Sequence, residues 1–142
     1  FCGLHGNTLY LDEVCYETHM GSRDIIKRLR PYNMFDIIAD SADPRLIDEL
    51  RLGGLKIIPV RKGPGSVLAG INKMLELNIV VTEMSKNLRY ELDNYCWAKD
   101  RDGKYTNEPI DADNHLIDGV RYFVLDRVLG WSDEVQDFSG IF

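Results

Sequence analysis

The stretch Met34–Pro44, MFDIIADSADP, decides how the chain folds. Its β-branched and apolar residues run together without alternation and stop at Asp40. That pattern suits a parallel strand buried within a sheet. Pro44 then opens a helix, PRLIDELRLGG, with proline in the first turn and Gly53-Gly54 as the stop. A strand, a tight acidic loop and a helix make the first half of a βαβ unit. The second half follows as the strand LKIIPVRKG, from Leu55 to Gly63.

The same alternation continues outward. GSVLAGINKMLELN reads as an amphipathic helix with Val67, Leu68, Ile71, Met74 and Leu75 on one side. IVVTE is a strand, and SKNLRYELDNYCWAKD a helix starting at Ser85. RDGKYTNEP is a turn or hairpin, and a last helix runs from about Asn114 to Leu129, stopped by Gly130. Toward the front, FCGLHGNTLYLDEVCYE gives two strands around a turn at Gly6-Asn7. Ser22 is the expected N-cap of the short helix SRDIIKRLRPY, whose Ile25, Ile26 and Leu29 have helical spacing. A β-hairpin followed by alternating helices and strands predicts an α/β fold with a mixed sheet flanked by helices.

The bulk numbers narrow the function. At 142 residues, 44% hydrophobic and 28% charged, the chain has the composition of one ordinary globular domain. No apolar run nears the roughly 20 residues of a membrane span, and no signal-type leader opens the sequence, so neither a membrane partner nor secretion is expected. Cys2, Cys15 and Cys96 fit no zinc spacing and read as reduced thiols. The net charge of −6 argues against a free-standing module that holds nucleic acid by charge alone.

Two places carry candidate chemistry. Asp40 lies at the carboxyl end of a predicted buried strand, where open α/β sheets bind ligands. It reads equally well as the cap of an Asp-Ser-Ala-Asp-Pro turn. Asp43, just before Pro44, reads as a helix N-cap. The second place is DADNHLIDGVRYFVLD, Asp111–Asp126. His115 and Asp118 are spaced i, i+3 on one helix face. Asp118 heads an apolar stripe of Val120, Phe123, Val124 and Val128, so it should point inward. Asp111 and Asp113 suit a helix N-terminus, with Asp113 as N-cap.

Carboxylates from two separate segments suit a hard divalent cation, Mg²⁺ or Mn²⁺, held together with substrate phosphate. His115 could orient or deprotonate an attacking water. RKGPGS, Arg61–Ser66, lacks the spacing of a P-loop. Arg61, Lys62, Lys73 and Lys86 are candidate contacts to a DNA backbone, against a plain reading as solvated charge.

Three stretches carry a resemblance. IIADSADPRLIDELR, IIPVRKGPGSVLAGINKM and YCWAKDRDGKYTNEPIDADNHLIDGVRY together resemble the C-terminal nuclease domain of the large terminase subunit of tailed bacteriophages. The likeness covers nearly the whole chain. Its most specific part is an acidic loop followed by Asn-His-x-x-Asp-x-x-Arg-Tyr.

The resemblance implies an RNase H-like fold over residues 1–142. It also implies a metal-dependent endonuclease that cuts concatemeric double-stranded DNA by two-metal phosphodiester hydrolysis. Asp40 matches the family's second acidic residue and Asp118 its third; His115 matches a histidine near the third. The family's first aspartate lies on an opening strand, central in the sheet beside the strand ending at Asp40. That strand and the ATPase domain before it have no counterpart here. The expectation is therefore an N-terminally truncated, impaired nuclease domain with at most one well-formed metal site. Its implied partners are DNA, the ATPase domain, the small terminase subunit and the portal protein, in the cytoplasm of a bacterial host. A non-catalytic docking module of the packaging motor, or another RNase H-like nuclease such as a junction resolvase, is the alternative.

Overall fold

The computed structural model describes residues 1–131. The chain runs β1 (Cys2–His5), β2 (Thr8–Leu11), α1 (Ser22–Leu29), β3 (Asp36–Ala39), α2 (Pro44–Leu52), β4 (Lys56–Pro59), α3 (Ser66–Glu76), β5 (Asn78–Val81), α4 (Lys86–Asn94), β6 (Trp97–Lys99), β7 (Tyr105–Pro109) and α5 (His115–Phe123). A short 3₁₀ turn, Arg30–Tyr32, follows α1, and a π-helical turn, Val124–Val128, extends α5.

β1 and β2 form an antiparallel hairpin, and β2 pairs in parallel with β5. The two-residue turn at Gly6-Asn7 works because Gly6 takes a φ of +58°, which a side chain would resist. β3 and β4 form a separate parallel pair, and β6 and β7 a separate hairpin. So the strands divide into three groups. β1 and β3 each have one edge without a partner among the described residues.

Residues of β1 and β3 both help to line a cleft of about 490 Å³. Leu11, Val14, Leu116, Gly119, Val120 and Phe123 add mostly apolar walls. An edge-to-face contact between the rings of Phe1 and Phe35, centroids 5.5 Å apart, ties the two sides. The split falls where the resemblance puts a central strand beside β3.

Helix α5 joins the halves. Ile117, Val120 and Val124 pack with Leu9, Leu11, Met74 and Leu88 over the first sheet. Tyr122 and Leu125 pack with Val60 and Ile38 over the second. A third cluster, Ile47, Leu50, Leu55 and Ile57, receives Ile25, Ile26 and Leu29 of α1.

Several sequence expectations need correction. Gly21, not Ser22, is the N-cap of α1; Asp24 accepts a hydrogen bond from its N–H. α3 buries Gly70, Ile71 and Met74, while Val67, Leu68 and Leu75 are exposed. The helix is turned so that Gly70 meets Arg121, whose stem would lie 2.4 Å from a Cβ at that position. α4 ends at Asn94, and Trp97 belongs to β6 because it pairs with Pro109. Among the described residues, no helix is long and apolar enough to cross a membrane.

Candidate active site

Parallel pairing of β3 with β4 sets Ala39 opposite Pro59, so the loops after both strands leave the same edge. Asp40 starts one loop and Lys62 lies in the other. The Lys62 ammonium donates to Asp40 Oδ1 at 2.6 Å. The Ala42 N–H donates to the same oxygen at 2.9 Å. The Tyr122 hydroxyl, brought over by α5, donates to Oδ2 at 2.8 Å.

Asp40 thus closes the local turn, as one sequence reading has it, and faces a second element through its other oxygen. Partial burial acts to raise its pKa. The hydrogen bonds from Lys62, Tyr122 and Ala42, with the Lys62 charge, outweigh burial and hold the carboxyl below its ordinary range. Asp43 is the N-cap of α2, accepting from the Leu46 N–H at 3.1 Å.

Asp118 and Tyr122 are spaced i, i+4 and so share a face of α5. Tyr122 is 8% exposed. Burial, the hydrogen bond to Asp40, and the charges of Asp118 and Asp40 push its hydroxyl up to about 12. Asp40 meets this hydroxyl directly, whereas Asp118 reaches it only as a charge one helical turn away. Asp118 is half-buried, and its Oδ1 accepts from Arg121 Nη2 at 2.8 Å and Nε at 3.3 Å. The Arg121 side chain is buried and lies over the Tyr122 ring, 4.9 Å from its centroid.

His115 is exposed at the start of α5, one turn before Asp118. Among the described residues, no group of three or more His, Cys, Asp or Glu side chains converges as a metal cage. Asp40 and Asp118 are the two carboxylates that sequence reading offers to a cation. That set fits a hard cation, which commonly takes one or two carboxylates and fills its remaining positions with water and phosphate. The fit also shows in what the carboxylates already hold, since each is bound to a cationic side chain, Lys62 or Arg121.

The N-terminus of α5 is held in a way the sequence does not show. Asn114, not Asp113, is the N-cap, and its side chain makes no capping bond. Asp113 instead takes a φ of +48°, which aspartate tolerates better than most residues. The cap comes from α4. Glu91, 2% exposed, accepts the N–H groups of Leu116 and Ile117 on Oε2 at 2.8 and 3.0 Å. A carboxylate there also meets the positive end of the helix dipole.

The predicted DNA contacts scatter. Lys62 is engaged with Asp40, and Lys73 pairs with Glu76 on its own helix at 2.8 Å. Arg61 is exposed next to Lys62, and Lys86 is exposed in the first turn of α4. Arg121, Tyr122 and Glu91 are the residues sequence reading missed. The Arg-Tyr pair closing the specific motif was the available signal for the first two.

Residues 3–126 match the profile of the terminase RNase H-like domain. The large terminase subunit of Bacillus phage SPP1 is 37% identical over 99 residues, which are 67% of this chain and 24% of that protein. The crystal structure of the SPP1 large terminase nuclease domain with bound Mn superposes with a TM-score of 0.77. It is 34% identical, covering 84% of this chain and 72% of the other. The large terminase of a thermophilic bacteriophage, 20% identical, superposes at 0.69 over 89% of this chain and 36% of the other, and shares the fold. The chain spans 24% and 20% of the curated relatives it matches.

Proposed function

The chain belongs to the terminase RNase H-like domain family, and on that premise we propose that residues 1–142 act as the nuclease domain of a phage DNA-packaging terminase. The reaction is metal-dependent hydrolysis of a phosphodiester in concatemeric double-stranded DNA. The observation that supports it is a linked set of contacts: Asp40 at a strand end accepts from Tyr122 of α5, Asp118 accepts from Arg121, and the Arg121 guanidinium lies over the Tyr122 ring. Asp40 and Asp118 are the residues to hold Mg²⁺ or Mn²⁺. Such a cation supplies an activated water and charge stabilisation for the leaving oxygen.

The chain's own groups do the rest. The Tyr122 hydroxyl donates to Oδ2 of Asp40 and so fixes that carboxylate. Arg121 fixes Asp118. His115, exposed one turn away, would take a proton from water or hold a phosphate oxygen. Since no cluster of three or more such ligands forms among the described residues, cutting by this chain should be slow. In the assembled motor it would work beside the ATPase domain, the small subunit and the portal, in the cytoplasm of the bacterial host.

The test is nicking of supercoiled plasmid in Mn²⁺ by the wild-type chain and by Asp118→Ala, with chelator as control. Slow nicking that chelator and the substitution both abolish is the expected result. Nicking that survives Asp118→Ala unchanged would remove Asp118 from the site. A wild-type chain that leaves the plasmid intact at high concentration would favour a docking role.

A further inference from the structure

The two carboxylates hold their cationic partners in different ways. Arg121 is locked. Its side chain is 5% exposed, its stem is pressed against Gly70, and its guanidinium rests on the Tyr122 ring. Lys62 is held less firmly. Its ammonium also stands over the Tyr122 ring, 5.6 Å from the centroid, but its side chain is 36% exposed and sits in the loop Arg61-Lys62-Gly63-Pro64-Gly65, where Gly65 takes a φ of +79°. Lysine carries a compact charge on a flexible four-carbon stem and makes no fixed fork.

Asp40 has three donors on it. Tyr122 is a buried residue of a packed helix, and the Ala42 N–H is backbone in a closed turn. Of the three, only Lys62 can leave without moving the fold.

We propose that Lys62 is an exchangeable counter-cation for Asp40, which competes with a divalent cation for Oδ1 and, once released, binds a phosphate oxygen of the substrate. The proposal rests on the metal-site reading above. It makes Lys62 dual in effect. While paired, it neutralises Asp40 and keeps the carboxylate and the loop in place. Released, its charge lies one side-chain length from Asp40, beside any phosphate drawn to that edge of the sheet. The cost of displacing it is small, because an exposed ion pair in water contributes little. The pair therefore tunes metal affinity without blocking it.

The experiment is calorimetric titration of Mn²⁺ into the whole chain and its variants. Lys62→Gln should bind Mn²⁺ about 2–5-fold more tightly, the range set by the worth of an exposed ion pair. Lys62→Arg, which keeps the charge, should show no such gain. Lys104→Gln in the distant β6–β7 turn lowers the net charge equally and serves as the control for long-range attraction.

Binding of a duplex oligonucleotide supplies a second readout. Replacing Mn²⁺ by Ca²⁺ should strengthen duplex binding to the wild type and to Lys104→Gln, and this gain should be lost in Lys62→Gln. Without divalent cation, Lys62→Gln and wild type should bind duplex alike. Mn²⁺ affinity that is unchanged or weaker in Lys62→Gln, while still abolished by Asp40→Asn, would overturn the exchange. Mn²⁺ binding that is absent from the wild type, or indifferent to Asp40→Asn, would instead overturn the metal site itself.

Discussion

Glu91 gives the sharpest test of how the site is held. Its carboxylate accepts two backbone N–H groups at the start of α5, and its other oxygen, Oε1, is buried without a partner among the described residues. Hydrogen bonds to a charged group contribute about 1.5–3 kcal/mol each. Glu91→Ala removes two of them and strands two donors. Against this, it relieves the cost of keeping a carboxylate out of water. A net loss of about 2–4 kcal/mol is expected from these opposing amounts.

Glu91→Gln keeps an acceptor but loses the charge and its attraction to the helix dipole, a loss of about 1–2 kcal/mol. For a domain of this size each kcal/mol lowers Tm by about 2–4 °C, so the alanine variant should melt roughly 4–16 °C below wild type. Urea titration monitored by circular dichroism measures both, with an unchanged m value showing that the native state is otherwise intact. The same variants should bind Mn²⁺ more weakly in the order Gln then Ala, because α5 carries Asp118. A loss under about 1 kcal/mol for Glu91→Ala at unchanged m would refute the cross-helix cap, since the N-cap residue's own side chain makes no capping bond at this terminus.

Other outcomes follow from the same packing. Gly70→Ala should destabilise by about 1–3 kcal/mol through overpacking against Arg121 and loosen its pair with Asp118, whereas Gly119→Ala should stabilise by about 0.5–1 kcal/mol, because a Cβ there meets nothing within 4 Å; urea titrations of the two variants check both signs. Tyr122→Phe should cost about 1 kcal/mol at neutral pH. Because folding raises the Tyr122 pKa, the stability it brings is present below the ordinary tyrosine value of about 10 and is lost as pH climbs through about 12. The gap between wild type and Tyr122→Phe should therefore narrow over that alkaline range. Burial pushes the Cys2 and Cys15 thiols up, and Cys15 is raised further by Glu17. Exposed Cys96 should accordingly react first with limiting thiol reagent near pH 8, as peptide mass spectrometry would show.

What the sequence revealed was what local chemistry dictates. The end of β3, the Asp43 cap, Pro44 at the first turn of α2 and the Gly6-Asn7 turn are each settled by a few neighbouring residues. The α/β class followed from their order. The reading failed where a distant partner decides. Trp97 continues an acceptable helical run until Pro109 claims it for a strand. The buried side of α3 is chosen by Arg121, far along the chain, which needs the space at Gly70. Lys62 and Lys73 look alike in sequence, yet one meets Asp40 and the other Glu76. Glu91 in mid-helix drew no reading, because nothing near it announces that α5 will begin against it. Asp40 and Asp118 were legible as candidates from position and periodicity. The bond from Tyr122 to Asp40 was not, because a hydroxyl reaching across 82 residues leaves no local pattern.

The divided sheet has a practical side. Open strand edges recruit foreign backbone, and the usual safeguards are charge, proline or a covering helix. Along β1, Cys-Gly-Leu-His offers neither a firm charge nor a proline, and β3 has only Asp36, already tied to Arg127. Concentrated preparations of this chain should therefore be adhesive, with light scattering that grows with protein concentration. A lysine introduced at Gly3 would act as a gatekeeper and keep the chain workable at the strengths that calorimetry demands.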